Sequence, residues 1–296
     1  MRTRLYFSLI FTFGFMATNA QKPIKLSDDS VKFGNTHCPG IWVDIPEVNL
    51  ETVRTNWIKS LEKGTKSKAL ITGHEITIFG ALLKDVVETP VNIFSAVNGQ
   101  DSIVRLFAAV ELKRDEFTTI DSKEHEQLKI TLKQFAKDQY LKVAKDQLSD
   151  QEAKLKDLEK ELSSMRKEKD KLEKEIQSAN TTISEENYKI TSVKKEMSVT
   201  DASLDAKSTE LSTMADGDAK KAAQSEAKDL QKKKKEHLKD ISNAENRISK
   251  AKTLIQDNNT GISQNLRNQE AVQIKITAQQ QEVKKYTDKL STIESY

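Results

Sequence analysis

The chain has 296 residues, with 48 Lys and Arg against 45 Asp and Glu, and 31% of its residues are charged. This near balance gives little support to nucleic-acid binding, which needs basic residues clustered on one face. The single cysteine, Cys38, excludes an intramolecular disulfide. Cys38 is expected either as a buried, small apolar side chain or as an exposed thiol that could link two chains.

The first twenty residues have the layout of a secretory signal peptide. Arg2 and Arg4 precede an apolar stretch over 5–16, and the small residue Ala20 precedes a cut that would leave Gln21 as the mature N-terminus. Because a transmembrane helix needs roughly 20 apolar residues, this stretch is too short to span a bilayer, although an uncleaved anchor is the alternative. The mature chain is therefore expected to be exported, periplasmic or at the cell surface, with no transmembrane anchor after cleavage.

Residues 21–118 are predicted to form a small α+β head, because they hold all four prolines and both tryptophans. A strand over 41–45 is followed by Asn49, which is a suitable cap for a helix. The apolar positions of that helix share one face and are Leu50, Val53, Trp57 and Leu61.

Further strands are predicted over 69–72 and 75–81, followed by a hairpin of 91–97 and 102–112 that turns at Asn98-Gly99. This order indicates a small mixed or antiparallel sheet covered by helices, with a ferredoxin-like arrangement as one option. An aromatic-rich face at the start of the next helix is expected to pack on the sheet, and its residues are Leu128, Leu132, Phe135 and Tyr140.

The rest of the chain has no proline, which permits very long helices. We predict one helical arm over 119–214, a turn over 215–219 containing Asp216, Gly217 and Asp218, and a second arm over 220–296, so the protein is mostly α overall. Both arms repeat apolar residues every seven positions, as in a coiled coil. The predicted seam consists of Leu155, Leu158, Leu162, Leu172, Ile176, Ile183, Ile190, Val193, Ile241, Ile248, Ile255, Ile262, Ile276 and Val283.

The two arms are expected to fold back on each other as an antiparallel hairpin, with a parallel homodimer of uninterrupted helices as the alternative. Reflection of the chain about Gly217 places position 180 opposite position 254. Gly and Asp favour a turn there, and Gly217 can adopt the left-handed conformation that closes a helix. Three polar residues in seam positions, Lys169, Glu186 and Lys207, are expected to set the register.

The sequence contains few motifs that could carry chemistry. Gly64-Thr65-Lys66-Ser67 lacks the upstream glycine of a phosphate-binding loop, and the four histidines have no paired ligand spacing, so no metal, cofactor or enzymatic activity is predicted. Carboxylates of the head, including Glu47, are interpreted as surface or capping groups. The run Lys232–Lys235 is interpreted as a solvated face of the coiled coil.

The export signal, the strand-rich head over 41–112 and the Lys/Glu-rich coiled coil after Lys145 together resemble uncharacterised exported coiled-coil proteins of Gram-negative bacteria. The resemblance implies an envelope location and supplies no activity. The favoured function is a non-enzymatic structural or interaction protein of the cell envelope, whose arm gives reach or oligomerisation and whose head binds a protein partner. The alternatives are a holdase-type periplasmic chaperone and a hairpin activator or adaptor of an envelope complex.

The signal-peptide prediction is tested by expressing the full chain in a Gram-negative host and sequencing the N-terminus of the purified protein. We expect the sequence to begin at Gln21, because signal peptidase cuts after a small residue such as Ala20. A protein that begins at Met1 and sediments with the membranes would instead support the uncleaved anchor.

Overall fold

The computed structural model describes residues 22–100 and 102–296, so the predicted signal peptide lies outside the described residues. The head contains one helix, α1 (Leu50–Glu62), and seven strands: β1 (Lys25–Phe33), β2 (Thr36–Pro46), β3 (Leu70–Thr72), β4 (Glu75–Ala81), β5 (Val91–Gln100), β6 (Ile103–Lys113) and β7 (Glu116–Phe117). Within the described residues these strands form a single sheet in the order β1-β2-β6-β5-β4-β3, with β7 also paired to β6. Every pairing is antiparallel, which confirms the predicted α+β head.

Helix α1 forms where its cap and its apolar spacing predict it. The Asn49 side chain accepts hydrogen bonds from two backbone N–H groups of the first turn, which otherwise have no partner in the helix. Val53, Trp57 and Leu61 lie one turn apart and are fully buried. The Trp57 Nε1 group donates a hydrogen bond to the Ser95 hydroxyl at 3.0 Å, so the polar edge of this buried ring is satisfied.

The main core of the head lies on the sheet face that α1 covers. Alternate residues of β2 and β6 point into this core, among them Ile41, Val43 and Leu106. The first turns of the following helix add Leu128 and Leu132, with Phe135 half-buried beside them, as predicted from the aromatic-rich face. Tyr140, which was predicted for the same face, instead lies in a separate cluster with Ile293. The Phe135 ring meets the Trp57 ring edge to face at a centroid distance of 5.0 Å.

The opposite face of the sheet carries a second, aromatic core. Phe107 is fully buried, and its ring lies 5.2 Å from that of Trp42 and 6.0 Å from that of Phe33. Cys38 is fully buried in the same cluster, so the expected buried thiol is observed and the exposed one is not. Burial, with a smaller contribution from the charge of Glu111, raises the pKa of the Cys38 thiol to about 11.

Three details of the head differ from the predictions. The strands of the β5–β6 hairpin continue through Asn98 and Gly99, which pair with Arg105 and Val104, so the predicted turn at Asn98-Gly99 is wrong. The register of the longer ladder outweighs this local turn signal. Strand β1 was not predicted, because it is polar and largely exposed. The ferredoxin-like option is also wrong, because the second helix follows all seven strands instead of preceding the last.

The remaining helices are α2 (Lys123–Thr213) and α3 (Asp218–Glu294), and they pair as the predicted antiparallel hairpin. Asp218, which was placed in the turn, is the first residue of α3. Gly217 is not in the left-handed conformation that is available to glycine; its carbonyl accepts the hydrogen bond from the Lys221 N–H that begins α3. Within residues 22–100 and 102–296, no helix has the length and apolar content needed to cross a membrane.

Gly40 is required by the close approach of β2 and β6. A Cβ atom at this position would lie 2.4 Å from the Ala108 carbonyl oxygen and 2.6 Å from Phe107 Cζ. We expect Gly40→Ala to lower the free energy of unfolding by about 1–3 kcal/mol, the usual cost of overpacking, as measured by urea denaturation. Gly99→Ala is the control, because its Cβ would meet only Leu50 at an ordinary 3.7 Å. Equal effects of the two substitutions would contradict this explanation.

Candidate functional site in the seam of the helical hairpin

The predicted seam residues occupy the protected sides of the two helices. All fourteen are buried or half-buried, and Leu162, Val193, Ile241 and Ile276 are the most protected. Between residues 153 and 280, an apolar cluster forms around Leu162, Val272 and Ile276, with half-buried Leu155, Leu158 and Met165 packed against it. Long apolar side chains thus alternate with small or polar residues along the seam.

Five polar contacts join α2 to α3 between residues 153 and 280, and together they fix the register. In each contact, a residue further along α2 meets a residue correspondingly earlier in α3, as an antiparallel pairing requires. The pairs are Glu168–Asn265, Glu175–Asn258, Glu186–Arg247, Asp201–Lys234 and Lys207–Glu226, at N···O distances of 2.8–3.2 Å. The predicted reflection about Gly217 reproduces this register to within about one residue.

Two asparagines are buried in the α3 half of the seam. Asn258 and Asn265 are 7% and 6% exposed, and each donates its Nδ2 group to a glutamate of α2 at 3.0 Å. Our sequence reasoning missed both, although they follow Ile255 and Ile262 by three residues and therefore occupy heptad positions. A polar group in such a position lowers stability and specifies pairing, because any other register would leave it buried without a partner.

The charged seam residues find opposite charges across the hairpin. Lys207 contacts Glu226 of α3 at 2.8 Å and Glu210 of its own helix at 2.7 Å. Hydrogen bonds to Glu210 and Glu226 raise the pKa of Lys207 to about 12. A parallel dimer in register would instead place Lys207 and Glu186 opposite their own copies, where like charges repel. The charge pattern therefore favours the antiparallel pairing.

The run Lys232–Lys235 does not lie wholly on a solvated face. Lys232, Lys233 and Lys235 are exposed, as predicted, but Lys234 is half-buried and contacts Asp201 at 2.8 Å. The heptad phase of α3 places Lys234 seven residues before Ile241, and this spacing identifies it as a seam residue. One lysine of the run therefore takes part in the pairing and three are free to remain in solvent.

A second polar cluster, the terminal clasp, holds the end of α3 to the head. It consists of Glu47, Tyr140, Gln147 and Lys289. The Glu47 carboxylate accepts hydrogen bonds from the Lys289 ammonium group, from the Tyr140 hydroxyl at 3.2 Å and from the Gln147 amide at 3.3 Å. Tyr140 is fully buried beside Ile293, so an apolar contact supports the clasp.

The clasp changes the interpretation of Glu47. Its backbone has a φ of 59°, a left-handed conformation that is uncommon outside glycine and asparagine. Its carboxylate contacts Tyr140 and Gln147 of α2 and Lys289 of α3. Burial opposes ionisation of this carboxyl, but hydrogen bonds from Lys289, Gln147 and Tyr140 outweigh burial and hold its pKa below the usual range. Glu47 was interpreted as a surface or capping group, because nothing in the sequence links it to Tyr140, Gln147 and Lys289, which lie 93, 100 and 242 positions away.

Within the described residues, no group of three or more His, Cys, Asp or Glu side chains is placed to hold a metal ion. Comparison of the sequence with models of known protein families, and with curated proteins, finds no match. The function must therefore be inferred from the geometry of the chain itself.

Exchanging Glu186 and Arg247 should restore stability that is lost when Glu186 alone is replaced. Glu186 is 14% exposed, and one of its oxygens lies 3.2 Å from Arg247 Nε. We expect Glu186→Arg to lower the free energy of unfolding, and Arg247→Glu in the same chain to recover about 1 kcal/mol. The measurement is a double-mutant cycle by thermal denaturation.

Glu185→Arg is the matched control for this cycle, because Glu185 is the exposed neighbour of Glu186 and undergoes the same change of charge. We expect this control to have a small effect and no recovery with Arg247→Glu. An equal recovery in both backgrounds would show that general charge balance, and not the seam contact, is responsible.

The clasp predicts a pH dependence of stability. Because the pKa of Glu47 is lower in the folded protein than in the unfolded chain, its ionised form stabilises the fold at neutral pH. This contribution is lost as the pH falls from about 5 towards 3. We expect Glu47→Gln to be less stable than the wild type at pH 7, with a smaller difference at pH 3.5. Urea denaturation at both pH values tests this, with Glu88→Gln at an exposed position as the control.

Proposed function

We propose that the chain is a non-enzymatic interaction protein of the cell envelope, exported after removal of residues 1–20, which binds a partner protein through its head. The observation that carries this proposal is the pairing of the seam within one chain. Each of the five polar contacts across the hairpin joins groups that complement each other. Because the seam is already occupied internally, it supports a self-contained hairpin, and a partner would bind elsewhere.

The head offers an apolar surface for such a partner. Leu70 and Phe79 are 59% and 51% exposed, and half-buried Phe94 joins them on the same sheet face; we call these three residues the outer patch. Leu70 pairs with Thr77, and Thr77 pairs in turn with Phe94, so one cross-strand row connects the patch. The Phe79 ring meets the Phe94 ring edge to face at 6.4 Å. Exposed aromatic side chains of this kind are enriched at protein interfaces.

The alternative functions have less support from the described residues. A holdase-type chaperone would need continuous apolar surface to hold an unfolded client. The large exposed apolar side chains of residues 153–280 are one aromatic residue, Tyr188, and five aliphatic residues at separate positions along the helices: Val199, Leu238, Leu254, Leu266 and Ile274. An activator or adaptor would present the hairpin itself to an envelope complex. Both alternatives place the binding surface on the hairpin, so they are distinguished from the head proposal by where a partner is contacted.

Site-specific photocrosslinking in living cells tests this proposal. A photoreactive benzoyl-phenylalanine replaces Phe79 in one strain and Tyr188 in another, because both side chains are large and exposed. After irradiation, we expect a discrete adduct from position 79 in the periplasmic fraction and none from position 188. An adduct only from position 188 would favour a hairpin-binding function, and a protein confined to the cytoplasm would refute the envelope location.

A further inference from the structure

The head contains a second, more enclosed site, the His125 cleft, away from the outer patch. It has a volume of about 440 Å³ and is lined by residues 28–30 of β1, Pro39 and Gly40 of β2, residues 118–120, and His125 of α2. This volume falls within the range of sites that accept small organic molecules. The clefts of the helical hairpin are lined by residues of the seam or its flanks, whereas this one is built on the sheet and the start of α2.

Two buried polar groups of the cleft have no hydrogen-bond partner within the described residues. His125 is 2% exposed and its Nδ1 atom is unpaired; Thr118 is 1% exposed and its Oγ1 atom is unpaired. Nearly all buried polar groups in folded proteins have a partner. Two unpaired groups that line one cleft therefore indicate a ligand that satisfies them.

The contacts of Asp28 determine what His125 offers to that ligand. The Nε2 atom of His125 lies 2.7 Å from Asp28 Oδ1, and the Lys129 ammonium group lies 3.3 Å from the other oxygen. Burial opposes ionisation of Asp28, but the hydrogen bonds from His125 and Lys129 hold its pKa below the usual range. An ionised carboxylate can only accept, so Nε2 carries the proton. In the neutral ring, Nδ1 is then a hydrogen-bond acceptor.

The cleft is therefore richer in acceptors than in donors. Besides His125, the lining includes two carboxylates, Asp28 and Asp29, and the Asp29 carboxylate also accepts hydrogen bonds from the Trp42 Nε1 group and the Ser30 N–H. Its side-chain donors are three hydroxyls, of which Thr118 is buried and Ser30 and Thr119 are exposed. Lys129 neutralises one of the two carboxylates, which leaves a local excess of negative charge. Pro39 and Ile120 add apolar surface. A ligand that donates several hydrogen bonds, carries a positive charge and has an apolar body matches this lining.

We propose that the His125 cleft binds the primary ammonium group of a small alkylamine. An ammonium group has three donors and no acceptor, so it can satisfy Nδ1 of His125, Oγ1 of Thr118 and a carboxylate oxygen together. Its charge is opposite to that of Asp28 and Asp29, and a short alkyl chain contacts Pro39 and Ile120. This site is separate from the outer patch, so the proposal does not depend on the proposed partner binding.

The test uses the intact mature chain with ¹⁵N-labelled histidine and follows the ring nitrogens by NMR at pH 7.5. The probes are n-butylamine, n-butanol and butyrate, which share an alkyl chain and differ in the head group. We expect n-butylamine to shift the Nδ1 resonance of His125 saturably, with roughly millimolar affinity for so small a ligand. The other three histidines, His37, His74 and His237, serve as internal controls.

Two variants connect the shift to the cleft. Thr118→Val keeps the shape of the side chain and removes the hydroxyl, and Asp29→Asn keeps an acceptor for the Trp42 Nε1 group and removes the charge. We expect each to weaken n-butylamine binding about fivefold or more, whereas Thr77→Val on β4 leaves it unchanged. If Thr118→Val does not fold, Asp29→Asn decides the question.

Several results would overturn the proposal. Equal shifts with n-butylamine and n-butanol would show that the cleft recognises the alkyl chain alone, and tighter binding of butyrate would reverse the proposed sign of charge. Unchanged affinity in the folded variants would place the amine elsewhere. A free-protein spectrum in which Nδ1 of His125 is protonated would remove the acceptor on which the proposal rests.

Discussion

The pairing of α2 with α3 in one antiparallel register is the constraint on which the described hairpin depends. Heptad spacing alone would allow the helices to slide by seven residues or to pair with a second chain, because apolar seams are alike from turn to turn. Buried asparagines at 258 and 265, and charges such as Lys207, remove this freedom, since each needs one particular partner. These polar residues bury less apolar surface than leucine or isoleucine would, but they restrict the helices to one pairing.

The sheet of the head has apolar residues on both faces, so each face must be shielded from water. One face is covered by α1 and by the first turns of α2, around Trp57 and Leu128. The other face is filled by its own aromatic rings, around Phe107, without a covering helix among the described residues. Such a face protects its centre and leaves its margin exposed, which explains why the outer patch lies at the β3–β4 end of the sheet.

The sequence predicted the features that repeat or that depend on neighbours in the chain. The heptads of α2, the cap at Asn49 and the buried face of α1 were found because their signals are local or periodic. Strand β1 was missed because an edge strand held by main-chain hydrogen bonds needs no apolar alternation. The contacts of Asp28 with His125 and of Glu47 with Lys289 join residues distant in sequence, and only the fold brings them together.

The burial of Cys38 has a consequence for the redox chemistry of the protein. Its thiol is fully enclosed beside Phe107, and its raised pKa leaves almost no thiolate, which is the form that reacts with oxidants and disulfides. The folded chain is therefore protected from oxidation and from mixed disulfides even in an oxidising compartment. Because the thiol becomes reactive only when the sheet opens, the single cysteine is a natural reporter: the rate at which it is alkylated measures how often the head unfolds.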